Sequence, residues 1–244
     1  VLKRILEKIT GGASFYQSPT DMGVNRAGMA IVEDDVTRQA AKQEVIRRYF
    51  RYRCEYVMGF ADRETVQRVE LFIKDFELSP EHRQVVEPAR RAAEKAQRDQ
   101  RGDEGIYCGA AIELKDGAII TGSNSPLLHA ASSVVIHAIK HLAGIPAKIR
   151  LLPASITDSV HHLKTEILKE KSVSLDLEET LIALSISASV NSAAQLAIEQ
   201  LRELENCEVH LTHIPTPGDE AGLRRLGVNL TSDPNFSSKN LFIA

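Results

Sequence analysis

Apolar residues change their period near residue 105, and that change divides the chain into a stretch that can bury itself only as helices and one that must build a sheet. Before it, Val36, Ala40, Val45, Ile46, Tyr49 and Phe50 recur at helical spacing and predict a helix over residues 35–56. Asp62 is placed to cap a second helix carrying Val66, Val69, Leu71, Phe72 and Ile73. Ser79-Pro80-Glu81 predicts the start of a third, running through Ala92 and Ala96.

After the change, residues 106–114 and 118–121 form two short apolar runs around Asp116-Gly117, a strong hairpin signal. Helices over 127–143, 155–169, 192–204 and 218–226 are expected to alternate with strands over 149–152, 181–187, 208–212 and 228–231. Alternation of that kind requires crossovers, so the expected fold is an N-terminal helical segment followed by a three-layer α/β/α domain. Its mixed sheet would be largely parallel and led by an antiparallel hairpin. Residues 98–105 are charged, glycine-punctuated and free of apolar side chains, which reads as a linker between a helical domain at 35–100 and an α/β domain at 105–244. Residues 1–34 read as a helix, stopped by Gly11-Gly12, and a polar loop. The chain opens on Val1 directly in a helical pattern, Leu2, Ile5, Leu6 and Ile9, so an upstream part is expected.

Composition narrows the function classes. The 30 basic and 33 acidic residues are interspersed and leave a net charge of −3, which offers neither nucleic acid nor an anionic membrane a field to follow. With 43% hydrophobic residues the chain can bury a sizeable core, yet no run approaches a membrane span and the N-terminus lacks a signal-peptide pattern. A cytoplasmic location is therefore expected. Cys54, Cys108 and Cys207 are odd in number and form no Cys-x-x-Cys pair, so reduced thiols packed as small hydrophobes are expected. No repeat or low-complexity tract interrupts the chain.

Two long runs carry a family resemblance. Ser18-Pro-Thr-Asp-Met-Gly-Val-Asn-Arg-Ala-Gly28, followed by Ala40-Ala-Lys-Gln-Glu-Val-Ile-Arg-Arg-Tyr49, resembles the bacterial family catalogued as domain of unknown function 1846. Ala183-Leu-Ser-Ile-Ser-Ala188 and Leu226-Gly-Val-Asn-Leu-Thr231 are similar to it as well. Members of that family are about twice this length and carry a Gly-Ser-Gly-Lys stretch in their N-terminal half that looks like a phosphate-binding loop. The resemblance implies that this chain is the C-terminal half and that any nucleotide is held chiefly upstream. It also implies that the first partner is the chain's own upstream N-terminal domain, and a homo-oligomer is expected besides.

The expected order of elements is also similar to the cytidine-deaminase type of sandwich, by topology alone. A zinc deaminase places His-x-Glu or Cys-x-Glu at the first crossover helix and Pro-Cys-x-x-Cys beyond it. Here that helix begins His129-Ala130-Ala131 and no cysteine pair follows, so no such zinc site is expected. His137 and His141 have the spacing of a zinc-protease helix, but Ala138 stands where the glutamate would be, and neither that pair nor His161-His162 has an identifiable third ligand. No metal cofactor is predicted.

Three groups remain as candidate ligand residues. Ser18, Thr20, Asp21, Asn25 and Arg26, the foremost of these, lie beside glycines that let a ligand approach the backbone, and Arg26 could hold a phosphate or carboxylate; a structural loop with Asp21 as a cap is the alternative and needs no ligand. Ser123 and Asn124, with Ser189 and Asn191, occupy expected strand-to-helix loops that would line one cleft if their strands run parallel; plain caps and turns are the alternative. Arg47, Arg48, Arg51 and Arg53 read as a solvated or subunit-facing surface, or as a phosphate clamp. Two functions stay open: part of a nucleotide- or phosphometabolite-linked protein with an interdomain ligand cleft, or a structural module that shapes an oligomer.

Overall fold

Asp62 accepts a hydrogen bond from the Thr65 amide (2.7 Å), and the helix that the sequence predicts begins there. In the computed structural model, which describes Gly11 and residues 34–170 and 172–237, the first helices are α1 (Asp34–Val57) and α2 (Arg63–Asp75). Ser79 caps only a short 3-10 turn, Pro80–His82. Arg83 then turns extended, so the third helix, α3 (Val86–Arg98), starts later than its proline signal suggests. The break has a use: Arg83 is buried and fans out to Thr231 Oγ1 (2.9 Å), the Val209 carbonyl (3.1 Å), the Asn229 carbonyl and Glu208.

The hairpin forms as expected, with β1 (Gly109–Glu113) and β2 (Ile119–Ser123) antiparallel, and Gly117 takes the positive φ its turn requires. Beyond it lie α4 (Ala130–Leu142), α5 (Ala154–His162) with a π turn at Leu163–Ile167, α6 (Leu177–Ala188) and α7 (Ser192–Glu199) with a 3-10 extension. β3 (Glu208–Leu211), α8 (Pro217–Arg225) and β4 (Asn229–Ser232) follow.

Two expected strands are absent. Residues 181–187 lie inside α6, whose start is set by a capping box: Asp176 accepts from the Glu179 amide (2.9 Å) and Glu179 from the Asp176 amide (3.0 Å). Leu177, Thr180, Ala183, Leu184 and Ser187 are its buried positions, a helical spacing that a short apolar run conceals. Residues 149–152 are irregular, with Leu151 buried and its carbonyl accepting from Ser187. The sheet is therefore β2-β1-β3-β4, with β1 antiparallel to both neighbours and only β3 and β4 parallel, rather than largely parallel. The order of elements on which the deaminase likeness rested is not found.

Helices do cover both faces. On one side Ala111 packs with Val85 and Ala89 of the α3 region. On the other, Ala110 and Ile112 pack with Val134 and Ala138 of α4 and with Val209 and Leu211 of β3. Gly109 and Gly122 allow this closeness, since a Cβ would stand 2.1 Å from the Ala89 carbonyl oxygen at the first and 2.4 Å from the Val134 nitrogen at the second. The chain divides into two compact units, Val1–Glu44 and Val45–Ala244. Within the second, α3 packs on the sheet, and residues 98–105 between them carry no buried side chain. Cys54, Cys108 and Cys207 are buried free thiols, as expected. Among the described residues no helix is long and apolar enough to cross a membrane.

Candidate functional site

β2, β3 and β4 point the same way, so their carboxyl ends lie along one edge of the sheet, where open α/β sheets commonly hold ligands. Two of those strands lead into helices that begin at that edge, α4 after β2 and α8 after β3. A parallel bridge between Leu128 and Leu175 brings the start of α6 there as well.

One carboxylate ties the three helix starts together. Asp219 of α8 is fully buried; its Oδ1 accepts from the Leu177 amide at the start of α6 (2.9 Å). Its Oδ2 accepts from Thr216 Oγ1 (2.9 Å) and faces Nδ1 of His129, the residue before α4, at 2.8 Å. Helix N-termini carry partial positive charge, which is what makes a buried carboxylate tolerable there.

His129 sits at the N-cap of α4 but gives its ring to Asp219 instead of capping the helix. α6, α7 and α8 are capped by Asp176, Asn191 and Thr216; the amides of Ala130, Ala131 and Ser132 have no acceptor among the described residues. These three residues are buried, a setting in which main-chain donors are normally paired. With the carboxylate as acceptor, Nδ1 of His129 carries the proton in the neutral ring and Nε2 the lone pair, on a ring about one-fifth exposed (21%). Burial opposes the cationic ring, but the hydrogen bond and charge of Asp219, aided by Asp176, outweigh it and raise the pKa. His213, which follows β3, is 5% exposed, and its Nδ1 has no partner among the described residues. Burial pushes it down to about 4; the Asp219 charge pulls the other way, and His129 and His210 press further down. The edge thus offers donors for an anion beside an imidazole oriented by a fixed carboxylate.

A second polar cluster lies where β4 ends. Arg90 holds Asp233 through Nε (3.0 Å) and Nη2 (2.7 Å) and reaches Glu81 with Nη1 (2.8 Å). Burial works against the Asp233 charge, yet His210 and Arg90 hold the carboxyl well below its usual range. His210 Nε2 is 3.6 Å from Asp233, too long for a hydrogen bond. A pocket of about 280 Å³ opens here, lined by Tyr49, Phe50, Arg53, Arg90, Asp233, Pro234 and Asn235.

Of the residues the sequence proposes, Ser18, Thr20, Asp21, Asn25 and Arg26 lie outside the described residues. Ser123 ends β2. Asn124 spends both ends of its amide locally, accepting from the Cys108 amide (2.7 Å) and donating to the Ile106 carbonyl (2.9 Å). Ser189 closes α6 and donates to the Ile186 carbonyl (2.7 Å). Asn191 caps α7 and donates to the Arg150 carbonyl (3.3 Å). The two pairs share no hydrogen-bond partner, and the strand expected to align them is α6. Arg47 pairs with Glu208 (3.1 Å), Arg51 with Glu55 (3.7 Å), and Arg53 donates to the Tyr49 hydroxyl (2.5 Å). His137 is tied to the Thr121 carbonyl (2.8 Å). Among the described residues no group of three or more His, Cys, Asp or Glu is placed to hold a metal ion.

Sequence reasoning weighed His129 only as a zinc ligand and passed over His213 and Asp219 entirely. The available signal was local: histidine is a poor cap before Ala-Ala-Ser, while Thr216-Pro217-Gly218-Asp219 is a helix start with an acid in its first turn.

Fold and site together define an α+β protein with helices on both faces of a mixed four-stranded sheet and a histidine–carboxylate pair at an uncapped helix start. The model described as "Domain of unknown function DUF1846, C-terminal" matches residues 81–242, and its N-terminal counterpart matches residues 1–77. The chain belongs to the DUF1846 family. Both family parts are represented, which corrects the expectation of a C-terminal half alone and of an N-terminal partner lying wholly upstream. It is 47% identical over 243 residues to a "UPF0371 protein" of Clostridium botulinum (strain Alaska E43 / Type E3), covering 99% of this chain and 48% of that protein. A "UPF0371 protein" of Clostridium tetani (strain Massachusetts / E88) is 43% identical over 242 residues, with the same shares. The chain spans about half the length of the curated relatives it matches.

Proposed function

We propose that this chain binds a phosphorylated small molecule at the carboxyl edge of its sheet, with the phosphate received at the start of α4. The observation that carries this is the run of three buried amides, Ala130 to Ser132, with no acceptor among the described residues. A dianionic phosphate satisfies several of them at once and lies in the partial positive charge of the helix end. This keeps the nucleotide- or phosphometabolite-linked reading of the sequence and adds His129, which lies outside both the expected loop at residues 18–28 and the Ser123/Asn191 loops, as the place where the ligand is received. Three buried free thiols suit the reducing cytoplasm expected for it.

The test is Ala130→Pro. Proline is favoured at the first helical position, and His129 already has the extended backbone (ψ 161°) that a residue before proline adopts. The variant keeps the fold but loses one donor and blocks the approach to it. Inorganic phosphate and phosphorylated metabolites are titrated by thermal shift; saturation at about 100 times Kd adds roughly 2.7 kcal/mol. A shift in the parent that Ala130→Pro abolishes supports the site; equal shifts, or none in the parent, refute it.

A second reading, an oligomer-forming module, draws on exposed Ile182 and Ile186 along α6, with Val190 in the turn after it and Leu196 of α7. Sedimentation across concentrations, with Ile182→Glu as the control, separates it from the first.

A further inference from the structure

The geometry points to His129 Nε2 as a phosphoryl acceptor: we propose that this chain forms a phosphohistidine at the start of α4, using a phosphoryl donor of the phosphoramidate or acyl-phosphate class. The inference rests on the anion-binding reading above and adds covalent chemistry to it.

A histidine nucleophile needs one nitrogen bare, the other held protonated, and access to solvent. Asp219 accepts from Nδ1 at 2.8 Å, which leaves the lone pair on Nε2. The carboxylate cannot swing away, because the Leu177 amide and Thr216 Oγ1 hold its two oxygens. The ring is partly exposed, and Nε2 has no partner among the described residues. Among the described histidines it is the carboxylate partner that sets His129 apart. His210, the other histidine beside a carboxylate, is fully buried. His137 is exposed and also donates from Nδ1 to a carbonyl, that of Thr121, so its Nε2 is bare too, but no carboxylate partner balances a charged ring there among the described residues; His82 accepts from the Ser79 amide.

The surroundings also suit the product. The amides of Ala130 to Ser132 offer donors to the oxygens of a phosphoryl group. His213 supplies a further observation independent of the helix end: the residue is more than nine-tenths buried, its Nδ1 has no partner among the described residues, and it lies within electrostatic reach of both Asp219 and His129.

In the step itself the Nε2 lone pair attacks phosphorus while the bond to the leaving group breaks with its electron pair. With phosphoramidate as donor, the N–P bond breaks and ammonia departs. Nδ1 keeps its proton, the ring becomes cationic, and the Asp219 carboxylate balances that charge. Nothing is oxidised or reduced.

The protein is incubated with phosphoramidate, the labelled sites are mapped by peptide mass spectrometry, and the isomer is read by phosphorus NMR. The exposed His161 and His162 serve as internal references for unassisted reaction. The expected result is an Nε2-phosphohistidine at residue 129 forming at least about tenfold faster than label at the references. Asp219→Asn should lower the rate at His129 to the reference level, because its amide donates to Nδ1 and moves the ring proton to Nε2, while its oxygen still serves Leu177. Should that variant fail to fold, the rate ratio and isomer in the parent protein decide alone. Label at His129 no faster than at His161 and His162, or label on Nδ1, overturns the proposal. Inorganic phosphate binding that Ala130→Pro abolishes, without phosphohistidine, overturns this inference and leaves the anion site standing. Absence of both overturns both.

Discussion

Acidification should destabilise this protein through His213 before its carboxylates begin to protonate. The ring is 5% exposed, and burial holds its pKa at about 4 against an ordinary 6.5. Because the folded value is the lower one, the unfolded chain binds an extra proton between pH 6.5 and 4. Stability contributed by this residue is full above pH 6.5 and is lost as the pH falls through that window. A difference of about 2.5 pKa units corresponds to roughly 3 kcal/mol by pH 4, a large share of the stability of an ordinary domain. His210, also lowered by burial, acts in the same direction. His129 adds no slope there, since its raised pKa leaves it charged in both states below pH 6.5, and its own contribution is lost as the pH rises through the folded value. The perturbation is His213→Leu, which removes the titrating group and its unpartnered nitrogen together. Urea denaturation followed by circular dichroism at pH 7, 5.5 and 4.5 should show the variant near the parent at pH 7, and losing about one proton's worth less stability, 1.36 kcal/mol per pH unit, as the pH falls. Equal pH dependence in parent and variant would refute the reasoning.

Other substitutions test the frame and the site separately. Arg83→Met leaves Glu208 and the carbonyls of Val209 and Asn229 without their shared cation and should cost about 3–5 kcal/mol in chemical denaturation, with Arg83→Lys recovering little because one ammonium cannot reach all three directions. Gly109→Ala drives a methyl into the Ala89 carbonyl and should lower stability by about 1–3 kcal/mol as α3 is pushed from the sheet. Asn124→Ala removes two hydrogen bonds, one of them buried, and should cost about 2 kcal/mol with phosphate affinity unchanged. Lost affinity at an unchanged melting temperature would instead place Asn124 on the ligand.

The hairpin was legible because its turn is local: Asp116 Oδ1 accepts from the Ala118 amide (3.0 Å) and Gly117 supplies the positive φ. Helices that announce a cap, such as α2 at Asp62 and α7 near Ser192, were legible for the same reason. α6 was misread because a seven-residue apolar run fits a buried strand as well as a helix; the deciding signal, Asp176-x-x-Glu179, lies just upstream of that run. The candidate site was hidden for a different reason. Asp219 is 90 positions from His129, and nothing in the local pattern of either residue announces their pairing. Only the topology, which starts α4 and α8 at the same edge of the sheet, puts them together.

The placing of β1 in the middle of the sheet has a consequence for how the chain reaches its fold. Its first partner, β2, is the next strand in sequence, but its second is about a hundred residues away, Ala110 opposite Leu211. During synthesis at roughly 5–20 residues per second, the inner side of β1 therefore waits several seconds for β3 to emerge. In that interval the hairpin and α3 can assemble, while a row of backbone donors and acceptors on β1 stays unmatched and open to pairing with another nascent copy. Folding yield, more than the stability of the finished protein, is the property this arrangement should make sensitive to expression rate and chaperone supply.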